Sequence, residues 1–566
     1  MPYDVLIRGG HIVDGTGKPA FAGDVAVQDG KVAAVGKVHG SAKQTINADG
    51  LVVAPGFIDL HTHYDAQLFW DPLATSSCWH GVTTVLTGNC GFTIAPVKPP
   101  DREYIMRLMA RVEGISFDVL SKGFDWEWVT FGDYLRRMES RLGVNVAAQV
   151  GHSALRYYVM GPEAYRRAAT ESEVAAMAAN LADAMAAGAI GFSTSQTAHH
   201  TGGYGEPIPS RMSEPQELLA LAGVLRKVGG GMLTLNPKPG QSVINEQFQE
   251  LLIQIAQASG SYIVWNSIAR RWDMPDQWKV NLAYMERAAA KDAKIYAVGR
   301  CQSLDLEFNL HKTNQFDPFP AWKEIITKPE AEKQRLLATE DVRARLRVDW
   351  DRMKAIPPHK QRMDLLEVSR TTTPANKRLE GKRIYALAAQ MGKHPVDVLL
   401  DIALSERLDT QFTYIGAMNG DMAAVEQIVK SPYCVPGVSD AGAHLDTDCG
   451  VDFIAVLLGH WVRERGVLSL GEAVRRLTSL PARLMGVADR GVLREGMAAD
   501  VVVFDPASIK ALPREITSDL PHGGRRIIQR AQGVHSVMVN GEVLLTDSKH
   551  TGAMPGRLLR PSAIAG

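Results

Sequence analysis

Along the middle of the chain, short uninterrupted apolar runs alternate with stretches whose apolar residues have helical spacing. An uninterrupted run is what a strand buried on both faces leaves in a sequence. Eight such runs stand out: 51–63, 83–91, 144–152, 189–196, 231–236, 261–266, 293–301 and 434–444. Good helices lie between several of them. In ESEVAAMAANLADAMAAG, Thr170 and Glu173 have the spacing of a capping box and Gly188 supplies a stop. EPQELLALAGVLRKVGG is another. Strand–helix alternation repeated eight times predicts an α/β chain of the (β/α)8 type, a TIM barrel.

The two ends have a different texture. VLIRGGHIVDG, DVAVQDGKVAAVG and QTINADGLVVAPG alternate apolar and polar residues between Gly and Asp-Gly punctuation, and GMAADVVVFD and VHSVMVNGEVLLTD do the same. The VNGE stretch is a hairpin signal. The expectation is one small β-sandwich domain built from both ends, residues 1–54 and 485–566, around a barrel at 55–484. Residues 303–433, between the seventh and eighth runs, are far too many for a βα loop. They predict an inserted subdomain, read as a lid over the barrel mouth.

Composition changes this picture mainly by exclusion. Of 566 residues, 45% are hydrophobic and 22% charged, ordinary for a globular protein, and Lys+Arg balances Asp+Glu at 62 each. That balance gives no electrostatic reason to expect nucleic acid or a membrane surface as partner. No run approaches the roughly 18 apolar residues of a membrane span, and the start carries Asp4 and Arg8 where a secretory signal would be apolar. The expected setting is the cytoplasm. Five cysteines, Cys78, Cys90, Cys301, Cys434 and Cys449, read as reduced thiols, with room for one as a ligand.

Barrel sites form where the strands end. The first run ends His61-Thr62-His63, with Asp65 beyond; the second ends Asn89-Cys90, the third His152, the fifth Asn236, the sixth Asn266, and the eighth Asp440 with His444 nearby. His-x-His on a strand puts both imidazoles on one face. Imidazole suits zinc and similar metals, and two His with a carboxylate leave coordination positions open for water or substrate. Barrel closure brings Asp440 beside the pair. Other signals are weak: VGGGMLTLN follows a helix, so it is no phosphate cradle, and GFSTS lacks the spacing of a nucleophile elbow. The charged run KPEAEKQRLLATEDVRARLR reads as a solvated helix face.

APGFIDLHTHYD, SDAGAH and DRGVLREGMAADVVVFDP resemble the amidohydrolase superfamily, and HGVTTVLTGNCGFTIAP, VGHSALR and AMAAGAIGFSTS resemble its D-aminoacylase (N-acyl-D-amino-acid deacylase) branch. The resemblance runs over nearly the whole chain. It implies that His61, His63 and Asp440 bind a metal, that Cys90 binds or bridges metal, and that Asp440 is the general acid/base. The alternative for Cys90 is a small buried hydrophobe. The implied reaction is hydrolysis of an amide C–N bond, of the N-acyl amino acid type, by metal-activated water. A cyclic amide, imide or lactone is the alternative substrate, and a barrel that binds a ligand without turnover is a further one.

The sequence departs from the branch at strands five and six, where the deacylases place metal-binding histidines. Here those strands read MLTLNPKPG and YIVWNSIARR, with Asn236 and Asn266 as the nearest polar residues. A neutral amide replaces imidazole poorly on zinc. One divalent ion, zinc, is therefore expected instead of two. The branch's carboxylate-gripping Lys is Ile268 here, and its Tyr-Pro-Tyr has no counterpart in YAVGRCQS; Arg270, Arg271 or Arg300 can supply a cation instead, the alternative for each being an ordinary surface or salt-bridging Arg. His152, Arg156, His200 (of the pair His199-His200), Asn236, Asn266 and His444 are the expected substrate shell. The partner is a small-molecule substrate, and homo-oligomerisation is left open.

Overall fold

The computed structural model describes residues 2–561 apart from 199, 241, 312, 314, 317–318 and 356–362. Eight parallel strands form one sheet: β1 (Phe57–Asp59), β2 (Val82–Thr87), β3 (Asn145–Gly151), β4 (Gly191–Ser195), β5 (Met232–Asn236), β6 (Tyr262–Ile268), β7 (Ile295–Gly299) and β8 (Cys434–Pro436). Each pairs with the next in chain order. The sheet curls until its two edges meet. Thr62 bridges Ala441 in parallel, and the His63 N–H donates to the Ala441 carbonyl at 2.7 Å. That bridge, just beyond the C-terminal ends of β1 and β8, closes the barrel at that rim.

All eight apolar runs hold a barrel strand. β2, β3, β4 and β5 are buried at every position, so their apolar residues are not confined to one alternating face and their Thr, Ser and Gln side chains lie inside as well. The helix Glu171–Ala187 starts on the Thr170/Glu173 capping box and ends on Gly188 in the left-handed region. The first run needs correction. It serves two sheets: Val52–Pro55 pairs antiparallel with Val501–Phe504, and only Phe57–Asp59 enters the barrel. Apolarity alone does not mark that change of sheet.

The Val52–Pro55/Val501–Phe504 pairing joins both chain ends in one nine-stranded sheet. The VNGE hairpin is present, with Asn540 and Gly541 both at positive φ between Val534–Val539 and Glu542–Thr546. Between β7 and β8, the strands Leu304–Phe308, Leu366–Arg370 and Gln411–Met418 form a separate antiparallel sheet. It packs with its own apolar cluster, which includes the fully buried Trp322 and Trp350. The charged run is divided between the helices Glu330–Leu337 and Glu340–Ala355, and Leu337 and Leu346 face this cluster, so it is more than a solvated face. Among the described residues, no helix is long and apolar enough to cross a membrane.

Candidate metal centre

The segment after β1 is pinned from both sides. Thr62 bonds the Leu86 carbonyl of β2 through its N–H (3.2 Å) and its hydroxyl (2.8 Å). The Ser439 hydroxyl, from beyond β8, donates to the His61 carbonyl at 3.0 Å. Gly442 lies so close that a Cβ would fall 2.6 Å from the His63 backbone. Glycine is required there, and its φ of +91° needs it too. The result is a fixed pair of imidazoles, ring centres 5.3 Å apart and nearly perpendicular.

Two more groups converge on them. Cys90, itself at positive φ in the turn after β2, places Sγ 3.5 Å from His61 Nε2. Ligand atoms of His61, His63 and Cys90 all lie within 4.8 Å of one another. Asp440, also at positive φ, holds Oδ1 2.9 Å from His61 Nε2 and 3.8 Å from His63 Nε2. Its Oδ2 lies 3.4 Å from Arg300 Nη2, and Asp448 Oδ2 fixes the same nitrogen at 2.5 Å. A cavity of about 130 Å³ opens beside Asp440, lined by Arg300, His444, Asn419 and apolar residues such as Ile268 and Leu304. A wider vestibule of about 740 Å³ shares His444 and Thr447 with it.

The remaining expected residues divide. His444 lines both spaces. His200 is half-buried, with Nδ1 2.9 Å from the Ser195 hydroxyl at the end of β4; His199 lies outside the described residues. His152 and Arg156 differ from the expected substrate shell. Both are fully buried, with His152 Nδ1 on Thr194, Nε2 on Glu217 at 2.7 Å, and Arg156 on the other Glu217 oxygen. Their hydrogen-bonding groups meet on Glu217, and neither residue lines the cavity beside Asp440. Asn236 and Asn266 sit on neighbouring strands, and the amide nitrogen and oxygen of both are buried without a partner. Neither lines the cavity beside Asp440. Of the candidate cations, Arg271 is tied to Asp273 and Arg270 stacks on Trp272, whereas Arg300 reaches the cavity.

A family model described as the amidohydrolase family matches residues 44–235 and 351–545, more than half of the chain. The chain belongs to the amidohydrolase family. A D-aminoacylase of Alcaligenes xylosoxydans xylosoxydans is 29% identical over 100% of this chain and 99% of its own length. An N-acyl-D-aspartate deacylase of the same organism is 30% identical over 99% and 95%. Among solved structures, an N-acyl-D-glutamate deacylase from Bordetella bronchiseptica is similar at a TM-score of 0.67 and 25% identity, covering 99% of this chain and 100% of that one. It was complexed with zinc and a phosphonate that mimics the tetrahedral intermediate.

In this amidohydrolase, the chemistry of the donor set suits a divalent ion: two imidazoles, a thiol and a carboxylate, all buried or nearly so. The electrostatics follow from their crowding. Burial alone would raise the Asp440 carboxyl, but His61, and then Arg300 and His444, outweigh it and hold the group well below the usual carboxylate range. Burial draws His61 down, yet Cys90 and Asp440 lift it well above an ordinary imidazole. Burial and the neighbouring His61 push His63 well below it. Burial raises the Cys90 thiol, which a bound ion would deprotonate. One further acid meets the cluster: Glu113 Oε1 lies 3.3 Å from His63 Nδ1. Nothing in the sequence around Glu113 singles it out, because its closeness to His63 is wholly tertiary.

Proposed function

We propose that this amidohydrolase is an N-acyl-D-amino-acid deacylase working with one zinc ion, held by His61, His63, Cys90 and Asp440. The observation that carries the reading is Asp440 Oδ1 at 2.9 Å from His61 Nε2, beside the cluster of His61, His63 and Cys90, the one group of three or more metal-ligating side chains found among the described residues. Asn236 and Asn266, neutral where the deacylase branch has imidazoles, favour one ion over two. When bound, the ion supplies an acidified water and polarises the scissile carbonyl.

The chain's own groups do the rest. Asp440 Oδ1 takes the water's proton and passes it to the leaving nitrogen. Arg300 holds Asp440 through Oδ2 and, as the buried cation of the cavity, pairs with the substrate carboxylate. His444 and His200 stand at the mouth, where they can donate to the acyl oxygen. The inserted residues 303–433 act as a lid, since Leu304, Leu306 and Met418 form part of the cavity wall. The small-molecule substrate enters through the vestibule. A cytoplasmic location agrees with five buried cysteines, none in a disulfide. The whole-chain deacylase relatives favour neither a cyclic substrate nor a barrel without turnover.

The test is a hydrolysis screen of N-acyl-D- and N-acyl-L-amino acids, with metal quantified in the same sample. Hydrolysis of the D series by protein carrying about one zinc per chain is expected. Metal-loaded protein that cleaves no N-acyl amino acid would overturn the reading.

A further inference from the structure

Glu113 occupies a position that electrostatics disfavours twice over. It is the C-cap of the helix Arg102–Val112, so its carboxylate sits at the negative end of the helix dipole. It is also 2% exposed, and a buried carboxylate is costly unless a partner compensates it. Among the described residues, the one basic group within ion-pair distance is His63, whose Nδ1 lies 3.3 Å from Oε1. That nitrogen is buried and makes no other hydrogen bond among the described residues.

The backbone is arranged to keep Glu113 there. Its N–H still completes the helix by donating to the Met109 carbonyl, and Gly114 at φ +68° then turns the chain. The Glu113 carbonyl accepts from the His444 N–H at 2.6 Å. The residue is thus clamped to the segment that follows Asp440. The other nitrogen of His63, Nε2, is the one that faces Asp440 Oδ1.

We propose that Glu113 is a positioning residue of the metal centre: it accepts the Nδ1 proton of His63, which fixes the tautomer with the Nε2 lone pair toward the ion. A carboxylate behind a ligating histidine orients the ring and raises its basicity, and loss of such a partner typically costs about 10- to 100-fold in metal affinity. The inference rests on the metal centre proposed above.

The experiment compares the full-length protein with its Glu113→Gln and Glu113→Ala variants. Zinc affinity is measured by chelator competition, the metal-free melting temperature is followed in parallel, and the cobalt-substituted protein supplies a ligand-field spectrum. We expect Glu113→Ala to bind zinc about 10- to 100-fold more weakly, and Glu113→Gln to lose less, because its amide oxygen still accepts the proton. The metal-free variants should melt no lower than wild type, since a buried acid held at the negative end of a helix is gone. The cobalt band positions should hold, because the donor atoms are the same. Unchanged zinc affinity, or a loss matched by a lower metal-free melting temperature, would overturn the role. A shifted cobalt spectrum in Glu113→Gln would overturn it in favour of direct ligation. Wild-type protein that binds no zinc would instead refute the metal centre itself.

Discussion

The two halves of the barrel mouth handle their buried polar groups in opposite ways. Beyond β1, β2 and β8, ionisable side chains crowd together: the ligand atoms of His61, His63 and Cys90 lie within 4.8 Å of one another, and Asp440 reaches both histidines. Beyond β3 to β6, charge is either neutralised within the wall or replaced. His152, Glu217 and Arg156 consume one another's hydrogen bonds, and Asn236 and Asn266 carry no charge at all. The first arrangement is costly for a protein without an ion. The second pairs its charges without one, though it leaves the two amides buried and unpartnered among the described residues. The difference separates a cluster whose donors suit an ion from a wall that pairs its charges internally.

The largest effect should come from the crowded half. Asp440→Asn is expected to lower kcat/KM about 10²- to 10⁴-fold, the usual worth of general acid–base catalysis, in steady-state assays on the best substrate of the screen. His61→Ala should go further, because it removes a ligand: metal analysis should find the zinc lost along with the turnover. Retention of full activity by either variant would erase the contrast between the halves.

The satisfied half should respond in stability. Glu217→Gln leaves Arg156 buried without its counter-charge, which typically costs about 3–5 kcal/mol. Denaturant titration measures this, and the KM of the folded fraction should stay near the wild-type value, as expected of a network that does not face the cavity. A selective rise in KM would return His152 and Arg156 to the substrate shell.

A pH effect of about 3 kcal/mol should come from His80, in the loop after β1. Its Nε2 meets the Gln529 carbonyl at 3.2 Å, and burial pulls the imidazole down from 6.5 to about 4. The folded state therefore excludes a proton that the unfolded chain takes up near pH 6.5. The stability is present above that pH and is lost as pH falls through 6.5 toward 4. Melting curves across this window should flatten in a His80→Phe variant; an unchanged pH slope would show that other groups govern it. The smallest change, though informative, is in stoichiometry. Asn236→His with Asn266→His should raise bound zinc from about one to about two ions per chain by metal analysis. A double variant still holding one would mean that the amides are not the reason for the single ion.

Much of this arrangement was legible in the sequence. The barrel strands were, because burial on both faces writes itself as an apolar run. His61, His63 and Asp440 were, because polar residues at the ends of such runs are conspicuous. Three features were not. The run at 51–63 hides a change of sheet, since both sheets bury their strands. His152 and Arg156, just beyond the end of β3, read as substrate shell, and only the fold brings Glu217 against both of them. Glu113 reads as an ordinary helix end, and its meaning depends on His63, reached only when the loop after β2 folds over the barrel mouth.

The shared sheet of the two chain ends has a consequence for biosynthesis. Residue 53 pairs with Ile12 on one side and residue 503 on the other, so a ribosome must release nearly the whole polypeptide before Val52–Pro55 finds its second neighbour. Until then that strand is an open edge, the kind of surface that recruits foreign strands. A prematurely terminated product would carry its barrel segments together with this exposed edge, which makes the nascent chain a natural client for chaperones.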